Sequence, residues 1–219
     1  MVTYEQIKND EDIKIYIKRA DETLKELGFT EHAFAHVTRA STVAGDILRQ
    51  LGYDDRMVEL AQIAGYIHDI GNVVSRIDHA QSGAVMAFRL LDKLGMPADE
   101  VSTIVAAIGN HDEGTGFPVN AVTAALILAD KSDVRRTRVR NREHATFDIH
   151  DRVNYAVEMS SLDLDVPGRT VTLRLTIDNT ISAVMDYFEI FLGRMLLCRR
   201  AANYLDLKFG LTINGVDLL

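Results

Sequence analysis

His68 and Asp69 stand side by side near the end of residues 57–70, where Val58, Leu60, Ala61, Ile63, Ala64 and Ile67 lie almost all round a helix. A titratable pair in apolar surroundings is costly unless something offsets its desolvation. A metal ion does this well. Neutral imidazole and carboxylate are good ligands for zinc and for octahedral manganese or iron, and adjacent residues at a helix terminus can lean toward one point. The dipeptide alone also fits a capping or hydrogen-bonding pair. Asp130 closes the apolar run 124–129, His111 follows the apolar run 104–108, His79 opens a helix, and His36 lies near the start of another. Each by itself reads more simply as a satisfied core or capping group. Together, spread over separate helical segments, His36, His68, Asp69, His79, His111 and Asp130 read as one or two metal sites.

The elements that must position them follow from apolar spacing. Val37, Ala40, Val43, Ala44, Ile47, Leu48 and Leu51 recur at helical period and put His36 on an amphipathic helix. Residues 57–70 are apolar almost all round, which marks a central buried helix with Gly71 as its stop. Asp78 and Gln81 resemble a capping box that starts a helix at His79 and carries it to about Leu94. Pro97 and Pro118 read as starts of helices over 98–110 and 119–131, since a first turn tolerates the fixed φ and the missing N–H. An earlier helix is expected across 4–27. Beyond residue 165 the period changes: Val171, Leu173, Leu175 and Ile177 alternate with polar residues as in a strand. A helix over 181–205, capped by Asn179 or Thr180, and a strand at 211–213 complete the tail. The glycines at 71, 83 and 109 read as helix ends or close-packing positions, not as a phosphate loop.

At 219 residues and 47% hydrophobic, the chain is long enough for a proper core, in one domain with a modest extension. Its net charge of −8 argues against a nucleic-acid polymer as partner, because phosphate backbones are held mainly by excess Lys and Arg. A small anionic substrate would need a local positive site, which bound divalent ions supply. Cys198 is the sole cysteine, so no intramolecular disulfide forms and a reducing compartment suits it. The charged start and the lack of a spanning apolar run give the expectation of a cytoplasmic protein with no membrane partner.

Several features carry two readings. His32 lies one turn before His36 and would share a metal at i, i+4 spacing, although a solvated or capping role is the simpler one. Asp112 and Glu113 follow His111 as proton-shuttling or second-shell partners, or as a solvated turn beside Gly114 and Gly116. Lys131, Arg135 and Arg136 open a basic stretch that also holds Arg138 and Arg140. These cations either grip substrate phosphate bidentately or form a solvated loop. His144 and His150 receive no role.

The order His36 … His68-Asp69 … Asp130 resembles the H…HD…D signature of the HD-domain metal-dependent phosphohydrolase superfamily. The flanks His36-Val37-Thr38-Arg39-Ala40, Gly65-Tyr66-Ile67-His68-Asp69-Ile70-Gly71 and Leu126-Ile127-Leu128-Ala129-Asp130-Lys131 are also similar. The likeness spans about residues 30–135. It implies a mainly α fold: an HD-type helical bundle over residues 1–160 and a small strand-helix-strand extension over 161–219 packed on it. It also implies that His36, His68, Asp69 and Asp130 hold a first divalent ion, that His79 and His111 add a second, and that Asp69 bridges. Manganese, iron, nickel, zinc and magnesium all stay open. Two such ions, ~3.5–4 Å apart, activate a shared water and neutralise a phosphate.

The implied activity is hydrolysis of a nucleotide or other small phosphate ester, with Asp69 and His68 carrying catalysis and Lys131, Arg135 and Arg136 holding phosphate. Many dinuclear phosphodiesterase and dinucleoside-tetraphosphatase relatives carry Lys shortly after the dipeptide, where Asn72 stands here. The GYP signature of the cyclic-dinucleotide phosphodiesterases is also absent. Neither substrate is transferred. A diiron oxygenase of a small polyol or phosphonate and a non-catalytic nucleotide sensor are the alternatives, and the C-terminal strand-helix-strand offers a homodimer surface.

Overall fold

The computed structural model of the chain describes residues 1–141 and 147–219. It is mainly helical, with α1 (Tyr4–Asn9), α2 (Glu11–Glu26), α3 (Phe34–Gln50), α4 (Asp55–Ile67), α5 (His79–Lys93), α6 (Ala98–Gly109), α7 (Ala121–Lys131), α8 (Ile149–Ala156) and α9 (Val184–Tyr204). Four strands, β1 (Val157–Asp165), β2 (Thr170–Ile177), β3 (Lys208–Ile213) and β4 (Val216–Asp217), form one sheet in that order. The β1–β2 and β3–β4 pairs are antiparallel, while β2 and β3 run parallel because α9 carries the chain back between them.

Local chemistry explains the boundaries. The single helix expected over 4–27 is two, because Asp10 is extended at ψ 124° and its side chain accepts from the Ile13 amide, capping α2. Asp54, Asn120 and Asp148 cap α4, α7 and α8 in the same way. Pro118 therefore lies ahead of α7 and does not begin it. α5 starts at His79 as expected, but no capping box forms: Asp78 is left-handed at φ 56° without a cap bond. Gln81 turns instead to the Gly109 carbonyl. The last helix starts at Val184, behind Ala183, since Thr180 binds Asp178 and not the helix end.

The sequence places the central helix at 57–70, yet the element buried along its whole length is α7. It packs against α3, α4, α6 and α9. α4 ends at Ile67, and Ile70–Val73 forms a short 3₁₀ turn. Two glycines let backbones approach where the site requires it. A Cβ on Gly65 would lie 2.6 Å from the Ser41 Cα, so α3 and α4 can touch there. A Cβ on Gly71 would overlap the His79 carbonyl and the Gly83 amide, so only glycine brings the turn after Asp69 onto α5. A continuous core runs from Ile7 and Ile13 through Ile63, Leu126 and Leu128 to Leu173, Phe191 and Leu211. The tail holds more sheet than expected: β1 and α8 were not anticipated, and β1 crosses residue 160, the anticipated domain division. The expected mainly α fold is present, and its C-terminal extension carries a four-stranded sheet. No helix of the described residues is long and apolar enough to cross a membrane.

Candidate metal centre

The six residues singled out from the sequence converge. His36 comes from the first turn of α3, His68 and Asp69 from the end of α4, His79 from the start of α5, His111 from just beyond α6, and Asp130 from the last turn of α7. All are buried. Each imidazole is oriented through Nδ1: His68 on the Gly65 carbonyl (2.9 Å), His79 on the Arg76 carbonyl (3.1 Å), His111 on the Ile108 carbonyl (2.6 Å), and His36 on Asp133 Oδ2 (2.8 Å). These partners only accept, so Nδ1 carries the proton in every ring and Nε2 presents a lone pair when the ring is neutral.

The four Nε2 atoms face the two carboxylates. His36 Nε2 lies 3.2 Å from Asp130 Oδ1 and 3.6 Å from Asp69 Oδ2, and His68 Nε2 lies 3.1 Å from Asp69 Oδ2 and 3.7 Å from Asp130 Oδ1. On the other side, Asp69 Oδ1 faces His79 Nε2 at 3.5 Å and His111 Nε2 at 3.9 Å. Asn72 fixes the Asp69 head, its side-chain amide donating to the Asp69 carbonyl (2.9 Å) and to Oδ1 (3.1 Å).

Lone pairs facing carboxylate oxygens repel unless positive charge sits among them, and His36 Nε2, His68 Nε2 and Asp69 Oδ2 are buried with no hydrogen-bond partner among the described residues. The titration behaviour agrees. Burial alone would lower the pKa of His68, but Asp69 and Asp130 outweigh it and push it up to about 10. Burial would raise Asp69 and Asp130, yet His68 holds the first and Lys131 the second well below the usual carboxylate range. His79 and His111 are lowered, chiefly by burial. The pocket thus favours positive charge where these atoms meet. The donor set fits a divalent ion: ligand atoms of His36, His68 and Asp130, and again of His68, Asp69 and His111, cluster within 4.8 Å of one another.

Residues matching the family model described as HD domain run from 33 to 189 and include every one of these side chains. The chain belongs to the HD domain family. The HD match extends past α7 through α8, β1 and β2 into α9, further than the likeness read from the sequence. A solved structure similar to this HD chain is that of a predicted HD superfamily hydrolase from an uncultured Thermotogales bacterium. It is 26% identical, with a TM-score of 0.46, covering 57% of this chain and 67% of that one. No curated protein matches.

A cavity of about 410 Å³ opens above the cluster. Lys131 lines it, with Nζ 2.7 Å from Asp130 Oδ2 and 3.1 Å from Glu113 Oε2. Arg135 and Arg136, expected to grip substrate phosphate, are not among the residues lining this cavity. The Arg135 fork is spent on Asp133, with Nε 2.5 Å from Oδ1 and Nη2 2.9 Å from Oδ2, while Arg136 lies over the Tyr155 ring beside Glu158. The cations that do line the cavity are Arg76, Arg138 and Arg194. Arg138 belonged to the noted basic stretch without being separated from its neighbours, and no sequence signal ties Arg194, on α9, to this place. Asp133 was also missed; a second carboxylate one turn after the apolar run of α7 is the signal that marks it. His32 reaches the cavity wall from outside the helix, its ring 5.4 Å from that of His36 and its Nδ1 on the Thr30 carbonyl. His150, given no role, lines the cavity too. His144 lies outside the described residues.

Proposed function

We propose that the chain is a metal-dependent phosphohydrolase that cleaves a nucleotide or other small phosphate ester with a metal-activated water. The observation that carries this is the division of Asp69: one oxygen faces His36 and His68, the other His79 and His111, as a carboxylate bridging two ions would be placed. On this reading His36, His68, Asp69 and Asp130 hold one ion, and His79 and His111 with Asp69 hold the other. Bound there, two divalent ions lower the pKa of a shared water and neutralise charge on a phosphate.

The chain's own residues supply the rest. Asp133 holds the His36 ring by its Nδ1–H, and backbone carbonyls hold the other three, so the ligand atoms are aimed before any ion arrives. Lys131 balances Asp130, and Arg76, Arg138 and Arg194 place further positive charge in the cavity near the cluster, although the chain as a whole is acidic. That favours a phosphorylated substrate over a neutral polyol. A small molecule is therefore the partner, not a nucleic-acid polymer or a membrane. The lone buried thiol, Cys198, pushed up to about 12 by burial, suits the cytoplasm.

The test is elemental analysis of protein purified without chelator, joined to assays with and without oxygen on nucleotides, sugar phosphates and phosphonates. Phosphate release indifferent to oxygen, with two metals per chain, is the expected result. Oxygen consumption tied to substrate loss would make it an oxygenase, and tight nucleotide binding without turnover a sensor.

A further inference from the structure

The cavity carries opposite charges at its two depths. Toward the cluster are Lys131 and Arg138, both buried, and the half-buried Arg194. Toward solvent the α8 end supplies Asp148 and His150, both exposed, and Asp151 beside them.

The inner cations are only partly spent. Arg138 gives Nε to the Glu31 carbonyl (2.8 Å) and Nη1 to the Asp133 carbonyl (2.7 Å), and among the described residues its Nη2 has no hydrogen-bond partner. Arg194 approaches Glu113 at 3.5 Å through Nη2, its buried Nε has no hydrogen-bond partner among the described residues, and its guanidinium is steadied over the Phe191 ring at 4.3 Å. An unspent Arg138 Nη2 and an Arg194 guanidinium held only at 3.5 Å by Glu113, beside a centre that favours divalent ions, form a receptor for one phosphate group. At the rim, Asp148 Oδ1 caps α8 by accepting the Asp151 amide, and Asp151 Oδ2 accepts from Asn141. Both carboxylates keep an oxygen that can accept from a hydroxyl or amine and that repels a second phosphate.

We propose that this pocket selects a phosphomonoester, its single phosphate held between Arg138 and Arg194 and its organic part offering hydroxyl or amino donors to Asp148 and Asp151. Nucleoside di- and triphosphates are disfavoured, because phosphates beyond the first face the acidic rim. The inference rests on the phosphohydrolase reading above and names the substrate class of that site.

The test uses the full chain loaded with manganese and has two independent readouts. One is calorimetric binding of inorganic phosphate and of a non-hydrolysable nucleoside triphosphate. The other is phosphate release from AMP, ADP and ATP. Arg194→Gln is expected to weaken inorganic phosphate binding about tenfold, and Arg194→Lys, which keeps the charge without the fork, to fall between it and the parent. The double variant Asp148→Asn, Asp151→Asn keeps the helix cap, since Asn caps as well as Asp. It should bind the triphosphate about tenfold tighter, with inorganic phosphate binding within about twofold of the parent. AMP should be the fastest of the three substrates in the parent. Unchanged phosphate affinity in both Arg194 variants, or unchanged triphosphate affinity in the rim variant, would overturn the proposal even if phosphate is released. No release from any nucleotide or sugar phosphate, with the binding pattern intact, would instead sink the hydrolase reading and leave the phosphate receptor standing.

Discussion

The floor and the wall of the cavity are built on different plans. On the floor, three of the four histidines are aimed by carbonyls three residues earlier in the chain: His68 by Gly65, His79 by Arg76, His111 by Ile108. Their orientation is thus a property of each helix end, and folding only has to bring the ends together. The wall depends on distant chain. Arg138 is held by the carbonyl of Glu31, and Arg194 comes from α9, after the sheet has begun. Chemistry held by local bonds can be read from neighbouring residues, whereas recognition assembled across the chain cannot.

The sharpest way to separate the two regions is to remove the floor's shared carboxylate. Asp69→Ala should lose metal binding and all detectable activity while keeping a parent-like far-ultraviolet dichroism spectrum. His68 can give up its proton once Asp69 has gone, so no uncompensated buried charge is left behind. A variant that unfolds even when metal is withheld would make Asp69 a structural residue. A narrower cut within the floor is the double variant His79→Ala, His111→Ala. It should halve the metal content per chain, measured by elemental analysis, since only the side facing Asp69 Oδ1 is lost. An unchanged content would leave a mononuclear centre.

His36 is the floor's exception, and it sharpens the contrast. Its Nδ1 is aimed by Asp133, far along the chain, and Asp133 also binds Arg135 and lies 3.5 Å from Arg39 Nε. Asp133→Asn keeps an acceptor but loses the charge, and should weaken metal binding by about 10–100-fold in a competition titration with a chelating dye. An affinity within twofold of the parent would show that the His36 ring needs no such support. Beside the wall, the basic stretch gives a smaller effect. Arg136→Gln should leave KM within about twofold, because Arg136 lies against Tyr155 and Glu158 and not at the cavity.

The same contrast explains what the sequence disclosed. Apolar spacing placed α3 and α4 with His36, His68 and Asp69, because a buried stripe is written in consecutive residues, while Asp78 and Pro97 marked the starts of α5 and α6. The strand β2 was legible from its alternation, but β1 was not: Met159 and Ser160 interrupt its pattern, and a register shift between Val157 and Met159 breaks the period. The capping box at Asp78 failed for a tertiary reason, since Gly71 packs on the first turn of α5 and Gln81 is drawn to Gly109. Arg135 reads as a phosphate ligand from its place after Asp130, whereas its fork is taken by Asp133, two residues away.

The smallest effect expected lies where wall and floor meet, at Glu113. Its carboxylate is opposed by burial but held down to about 2 by Lys131 and Arg194. A depressed folded-state pKa gives stability that is present above the unfolded value and is lost as pH falls through the folded one. Glu113→Gln should therefore melt below the parent at pH 6, and the gap should close between about pH 4.5 and pH 2. The Glu113 side chain is 32% exposed, so solvent screening discounts the interaction to about 1 kcal/mol, or roughly 2–4 °C for a chain of this size. Melting followed at a series of pH values decides it. A gap that persists unchanged to pH 2 would mean that the glutamate acts through packing or hydrogen-bond shape, and that its charge does not couple the cations of the wall to the metal-binding floor.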